Sequence, residues 1–224
     1  MTAAPDRADP ILRINEIYVS LQGEGRHAGV PFVFVRTTGC ALRCVWCDTA
    51  YAFTEGDDRP LSAVRDEVLA LAPRHVLLTG GEPLEQPAIA TLAAALLDAG
   101  RTVLVETGGH VDLAPFPTAL IRIVDVKCPG SRMNHRNHWP NLARLGERDE
   151  VKFVLRDRAD FDYAERVIDE HGLESRVGAL LYSPAHGELD PAELSRWMLE
   201  APRRNARLNL QLHKVIWPAA ARGV

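Results

Sequence analysis

The chain has 224 residues, 46% hydrophobic and 25% charged, with a formal charge of -4. That is enough for one substantial core, in one domain or at most two small ones, and the slight acidity gives no electrostatic case for a nucleic-acid or membrane partner. Four cysteines, three of them clustered, make no disulfide framework and fit a reducing compartment where thiolates ligate metal. Residues 1–10 lack the apolar stretch of a secretory signal, and no run approaches the roughly 18 apolar residues of a membrane span. A cytoplasmic protein is expected.

Taken in order, residues 1–12 read as a loose arm. A strand over Arg13–Leu21 follows and ends in Gln22-Gly23-Glu24-Gly25, where glycines permit a tight turn or a close approach to a ligand. Pro31–Thr37 is a buried strand that delivers the chain to a loop of cysteines. The polar stretch Gly56–Pro60 reads as a turn, Leu61–Leu71 as a helix, and His75–Thr79 as a strand running into Gly80-Gly81-Glu82-Pro83. The Ala-rich Ala88–Ala99 is a helix stopped by Gly100. Further strands fall at Arg101–Glu106, Leu120–Val126, Glu150–Leu155, Gly178–Tyr182 and Arg207–Leu212. Helices fall at Phe161–Glu170 and Pro191–Glu200, the last capped by Asp190.

About six strand–helix repeats with continuous apolar strands predict an α/β fold, a parallel sheet covered by helices. The repeats are too few for an eight-fold barrel, so a splayed partial barrel, a partial (β/α)6 barrel, is expected as a single domain over 1–224 with a tail at 219–224. Such sheets bind ligands at the carboxyl ends of their strands. The polar segments Gly80–Pro83, Glu106–Gly109, Lys127–Gly130, Ser183–His186 and His213–Lys214 all fall there.

The chemistry centres on Cys40, Cys44 and Cys47, spaced C-x3-C-x2-C. Clustered thiolates converge on soft metal centres. Three ligands from one loop, with only Cys128 elsewhere, point to a centre with an open position, as catalytic metals have. A zinc knuckle, or a closed cluster completed by Cys128, remains open on spacing alone; Cys128 otherwise reads as a buried thiol.

The cysteine loop with Trp46 before its last cysteine, followed by Gly80-Gly81-Glu82-Pro83 after a strand, resembles the radical S-adenosylmethionine (SAM) superfamily. Within it, Leu21-Gln22-Gly23-Glu24-Gly25, Arg36, Cys47-Asp48-Thr49, Thr79–Leu84 and Leu212-His213-Lys214 resemble the 7-carboxy-7-deazaguanine synthase family, over about Ile14 to Pro218. The resemblance implies a [4Fe–4S] cluster on Cys40, Cys44 and Cys47, with one iron left for the amino and carboxylate groups of SAM. It implies a SAM pocket of Trp46, Gly80, Gly81, Glu82, Glu106, Asp125, Val126, Lys127, Ser183, Pro184, Ala185 and His186. The substrate, 6-carboxy-5,6,7,8-tetrahydropterin, is expected to meet Leu21, Gln22, Gly23, Glu24, Arg36, Thr79, His213 and Pro218, with Thr49 a ligand of Mg²⁺.

Physical roles follow from the side chains. The glycines let backbone approach SAM, and Glu82 can accept from its ammonium. Arg36 can pair a carboxylate bidentately, and Gln22 and Glu24 can address the pterin's amide and amino edge. Thr49 offers one hard oxygen, with substrate and water completing an octahedron. Taken singly, each also reads as a bare turn, a strand-end Glu, a surface Arg, a core His or a capping Thr. His135 and His138, in Ser131–Trp139, have no carboxylate nearby and read as a lid or solvated loop. The six residues after Pro218 depart from the family's usual ending.

The implied reaction begins with reduction of the cluster by a donor such as flavodoxin. A 5′-deoxyadenosyl radical then takes hydrogen from C6 of the pterin, the ring contracts, and ammonia leaves. The implied assembly is a homodimer. An activating enzyme for a glycyl-radical partner, and a zinc-stabilised binding module without catalysis, are the competing expectations.

Overall fold

The computed structural model describes residues 9–218 and 222–223. Among them, nine strands form one sheet: β1 (Ile11–Leu21), β2 (Pro31–Thr37), β3 (Asp57–Pro60), β4 (His75–Gly80), β5 (Thr102–Thr107), β6 (Ile121–Asp125), β7 (Glu150–Leu155), β8 (Ala179–Pro184) and β9 (Ala206–Leu208). Their order is β3-β1-β2-β4-β5-β6-β7-β8-β9. From β2 through β4 to β9 the pairing is parallel, which makes the expected splayed partial barrel. At one edge β1 runs antiparallel to both β2 and β3.

Two expectations are corrected at that edge. Residues 57–60 are a strand instead of a turn, and their Asp, Arg and Pro are residue types that protect an exposed edge from further pairing. Ile11 and Leu12, expected in the loose arm, belong to the sheet, where they pair with Pro60 and Arg59 and Leu12 is fully buried; residues 1–8 of that arm lie outside the described residues.

Helices α1 (Leu61–Ala70), α2 (Ala88–Asp98), α3 (Arg158–His171), the single-turn α4 (Leu173–Arg176) and α5 (Pro191–Glu200) fill the crossovers at both ends of the sheet. Helix α3 starts where Asp157 accepts from the Asp160 amide at 3.0 Å, and ends at Gly172 in the left-handed region. The crossovers from β5 to β6 and from β6 to β7 carry no α-helix; 3-10 turns at Pro129–Ser131, Asn134–Arg136 and Trp139–Arg144 serve the second. The last strand also stops early, so His213 opens a short helix α6 (His213–Ile216) instead of ending a strand. Among the described residues no helix is long and apolar enough to cross a membrane.

Side-chain alternation along the strands divides the interior. Val33, Val35, Val76, Leu78, Val103 and Val105 face outward and pack under the helices with Ile89, Leu92 and Leu96. Phe32, Phe34, Leu77, Leu104, Ile121, Ile123 and Leu181 form a second cluster on the inner face. In parallel strands register partners share a face. The pairs Arg36–Thr79, Glu106–Ile123 and Asp125–Lys152 therefore put five polar residues from five strands on the inner face, towards the strands' carboxyl ends.

Candidate active site

That polar layer borders a cavity of about 890 Å³. The cavity gathers Cys40, Cys44, Trp46, Cys47 and Thr49 from the cysteine loop, and Thr79, Gly80, Gly81 and Glu82 from the end of β4. Leu21, Gln22, Gly23 and Glu24, with Arg36, Glu106, Asp125 and Lys127, line it too, as do Ala185, His186, His213 and Pro218. Three expected residues lie off it. Val126 points into the outer core, and Ser183 and Pro184 are still within β8, where the Ser183 hydroxyl accepts from Asn209 Nδ2 at 2.7 Å.

The cysteine and glycine loops are joined backbone to backbone. Gly81 N–H donates to the Thr37 carbonyl (3.0 Å) and Glu82 N–H to the Gly39 carbonyl (2.7 Å). A β-carbon on Gly81 would collide with the Gly39 carbonyl, and Gly80 has φ +143, so both positions require glycine. The three thiols are half-buried; burial pushes Cys40 up to about 11 and also raises Cys44. Cys128 sits apart, buried in the outer core with its thiol towards the Val126 carbonyl. Three thiols on a shared wall, with the fourth cysteine held elsewhere, fit a cluster with one iron free of protein.

Two of the expected side chains also have partners within the chain. Glu82 Oε2 accepts from Gly108 N–H (2.7 Å) and Thr107 Oγ1 (2.9 Å), and Oε1 from Leu84 N–H (3.1 Å). It braces the loop from a site only 1% exposed, and Oε1, with a single donor, keeps an acceptor position. Arg36 donates from Nε to Glu16 Oε1 (2.7 Å) and from Nη2 to the Tyr18 hydroxyl (2.8 Å), and Tyr51 donates to the same Glu16 oxygen (3.0 Å). These contacts use Nε and Nη2 and fix the guanidinium in place on the cavity wall.

The strongest electrostatic feature is Lys152, on β7. Its ammonium lies 2.7 Å from Glu24 Oε2 and 2.5 Å from Glu106 Oε1. Glu24 also accepts from Asn209 Nδ2 (3.0 Å) and Gln211 Nε2 (3.1 Å). Burial alone would raise the Glu24 carboxyl, but Lys152, helped by Gln211 and His213, outweighs it and holds the group at about 2. Burial wins at Glu106, which is raised in spite of Lys152. Burial works against the Lys152 charge as well, yet the two carboxylates keep it firmly protonated. Asp125 and Lys127 form a second pair at 2.7 Å.

Residues 34–135 carry a match to the Radical SAM superfamily. The chain is 40% identical over 227 residues to the 7-carboxy-7-deazaguanine synthase of Koribacter versatilis (strain Ellin345), covering 95% of this chain and 100% of that protein. The chain belongs to the 7-carboxy-7-deazaguanine synthase family. The family's Chlorobaculum tepidum member is 38% identical over 216 residues, covering 95% of this chain and 97% of its own. The crystal structure of QueE from Escherichia coli shares the fold at 23% identity with a TM-score of 0.74, covering 90% of this chain and 94% of that one. Family membership makes the chain a radical SAM enzyme, with a [4Fe–4S] cluster and SAM as cofactors.

The residues that sequence reasoning missed are Lys152, Asn209 and Gln211. For Lys152 a signal existed: in EVKFVL, Glu150 and Lys152 alternate with apolar neighbours, the mark of a polar stripe on one face of a strand. Within the family site, the Gly81–Gly39 contact yields a direct expectation. Gly81→Ala should destabilise by about 1–3 kcal/mol through overpacking and take up less iron and sulfide than the parent. Thermal unfolding and iron and sulfide assays check both.

Proposed function

We propose that this enzyme contracts the ring of 6-carboxy-5,6,7,8-tetrahydropterin to 7-carboxy-7-deazaguanine with loss of ammonia, a lyase reaction of 7-deazapurine and queuosine biosynthesis. One observation carries the reading: the cysteine loop, the glycine loop and a charged polar wall meet in one cavity, in a chain related over 95% of its length to a synthase of that product. When bound, the cluster and SAM supply a 5′-deoxyadenosyl radical. The chain's own residues bind, orient and shield the pterin.

Glu24 is a fixed anion at the pterin's amino edge. A carboxylate offers about four acceptor sites, and the donors from Lys152, Asn209 and Gln211 leave Oε1 room for one more. Glu106 keeps Oε2 for a ligand hydroxyl or amino group. Gln22 and His213 add neutral polar contacts, since burial lowers the His213 imidazole and favours its uncharged form. Thr49 holds Mg²⁺: its hydroxyl makes only long contacts, 3.5 Å to the Gly80 carbonyl and 3.9 Å to the Cys47 sulfur. A protein electron donor such as flavodoxin, a cytoplasmic location and a homodimer complete the proposal.

The test is an anaerobic assay of the reconstituted protein with SAM, Mg²⁺, a reductant and the carboxytetrahydropterin. Mass spectrometry should find 7-carboxy-7-deazaguanine; its absence sinks the reading. In the same assay Thr49→Ala should keep its iron and sulfide but lose Mg²⁺-dependent turnover by at least the roughly 10-fold that even an outer-sphere metal contact is worth. An unchanged Mg²⁺ dependence removes Thr49 from the site.

A further inference from the structure

Beyond the ligands themselves, the peptide that follows Cys40 is held from two sides. Glu85 Oε1 accepts from the Ala41 amide at 2.8 Å. The same oxygen lies 2.7 Å from His110 Nε2. A carboxylate only accepts, so Nε2 carries the proton. The His110 side chain is 5% exposed, with Nδ1 buried 3.6 Å from Glu82 Oε2. On the other side Leu42 is buried against Gly108, whose amide is itself tied to Glu82. Between these anchors, the Leu42 amide donates to the Cys40 sulfur at 3.4 Å.

We propose that Glu85, steadied by His110, is a positioning residue for the cluster: it fixes the Ala41 peptide so that the Leu42 amide stays aimed at the Cys40 sulfur, and so raises the cluster's reduction potential. The inference rests on the radical SAM reading of Cys40, Cys44 and Cys47. Reduction adds negative charge that spreads onto the ligand sulfurs, and an N–H donor at a sulfur stabilises the reduced form. Hydrogen bonds to the sulfurs are among the features that set such potentials. The Glu85 charge acts in the opposite direction, so the charge and the hydrogen bond must be separated by experiment.

Glu85→Gln and Glu85→Ala remove the same charge, but only Gln keeps an oxygen for the Ala41 amide. Both variants and the parent would be reconstituted anaerobically, assayed for iron and sulfide, and titrated potentiometrically with the reduced cluster followed by electron paramagnetic resonance. Glu85→Ala is expected to titrate at a more negative potential than Glu85→Gln, with a broadened signal. Coincident midpoints for the two variants would overturn the proposal. If Glu85→Ala takes up no cluster, His110→Phe, which leaves the Glu85 charge in place, is read against the parent. A shift to more negative potential supports the proposal, and an unchanged midpoint overturns it. A parent protein that binds no iron and sulfide would fell the radical SAM reading itself, a result distinct from either.

Discussion

Lys152→Met should cost the fold about 3–5 kcal/mol at neutral pH, the usual penalty for removing one partner from a buried ionic group. The Lys152 side chain is 8% exposed and is the cation between two carboxylates, Glu24 and Glu106. Methionine matches the length of the aliphatic stem but supplies no charge, so both carboxylates stay in the interior without their counter-ion. The pH dependence has a definite sign. In the parent, Glu24 sits at about 2 against an ordinary value of 4.5. A depressed carboxyl contributes stability above its unfolded value, and that contribution is lost as pH falls from about 4.5 towards 2. In the variant both carboxyls are raised, so its penalty is largest near neutrality and shrinks as acid protonates them. Urea unfolding at pH 7 and pH 5 checks this: the gap between parent and variant should narrow at the lower pH. A variant as stable as the parent at pH 7 would show that the group is not an internal ion cluster.

Cys44→Ala should leave a folded protein that binds no cluster and forms no product. Three thiolates are all that the cavity offers, since Cys128 is buried in the outer core, and losing one leaves two irons unanchored instead of one. Cys44 is half-buried on a loop and outside both apolar clusters, so unfolding should change little. Iron and sulfide per chain, and the visible absorption of the reconstituted protein, are the measurements. Cys128→Ala is the matched control and should retain full iron. Iron retained in Cys44→Ala and lost in Cys128→Ala would reverse the assignment.

The parallel strands were legible because they are short and mostly apolar, and α5 because Asp190 and Pro191 mark its start. Residues 57–60 were not: DDRP has the composition of a turn, and it becomes a strand only because β1 runs beside it. The cysteines and glycines of the site stand out by spacing. Lys152 does not, because its partners lie 128 and 46 residues away and only the sheet brings them together. Glu82 and Arg36 stood out as residues, but their partners within the chain did not. The Gly108 amide that claims Glu82 comes from another strand's end, and the Glu16 that claims Arg36 comes from the antiparallel β1, which a wholly parallel reading does not foresee. Val126, Ser183 and Pro184 do not line the cavity, because Val126 packs in the outer core and Ser183 is covered by Asn209, contacts that a motif does not carry.

The five polar residues on the inner face come from five adjacent strands and are spaced by ladder hydrogen bonds. A one-residue slip in any of those strands would turn its contribution to the opposite face, so insertions there are forbidden where loops would tolerate them. The segments at 22–30 and 209–218 lie outside that ladder and supply Gln22, Glu24, Gln211 and His213 to the same cavity, with Glu24 tied back to the sheet through Lys152. Retuning this scaffold for a different heterocycle is therefore a problem of grafting two loops that keep a carboxylate opposite Lys152, with the sheet serving as a fixed chassis that keeps the radical chemistry in place.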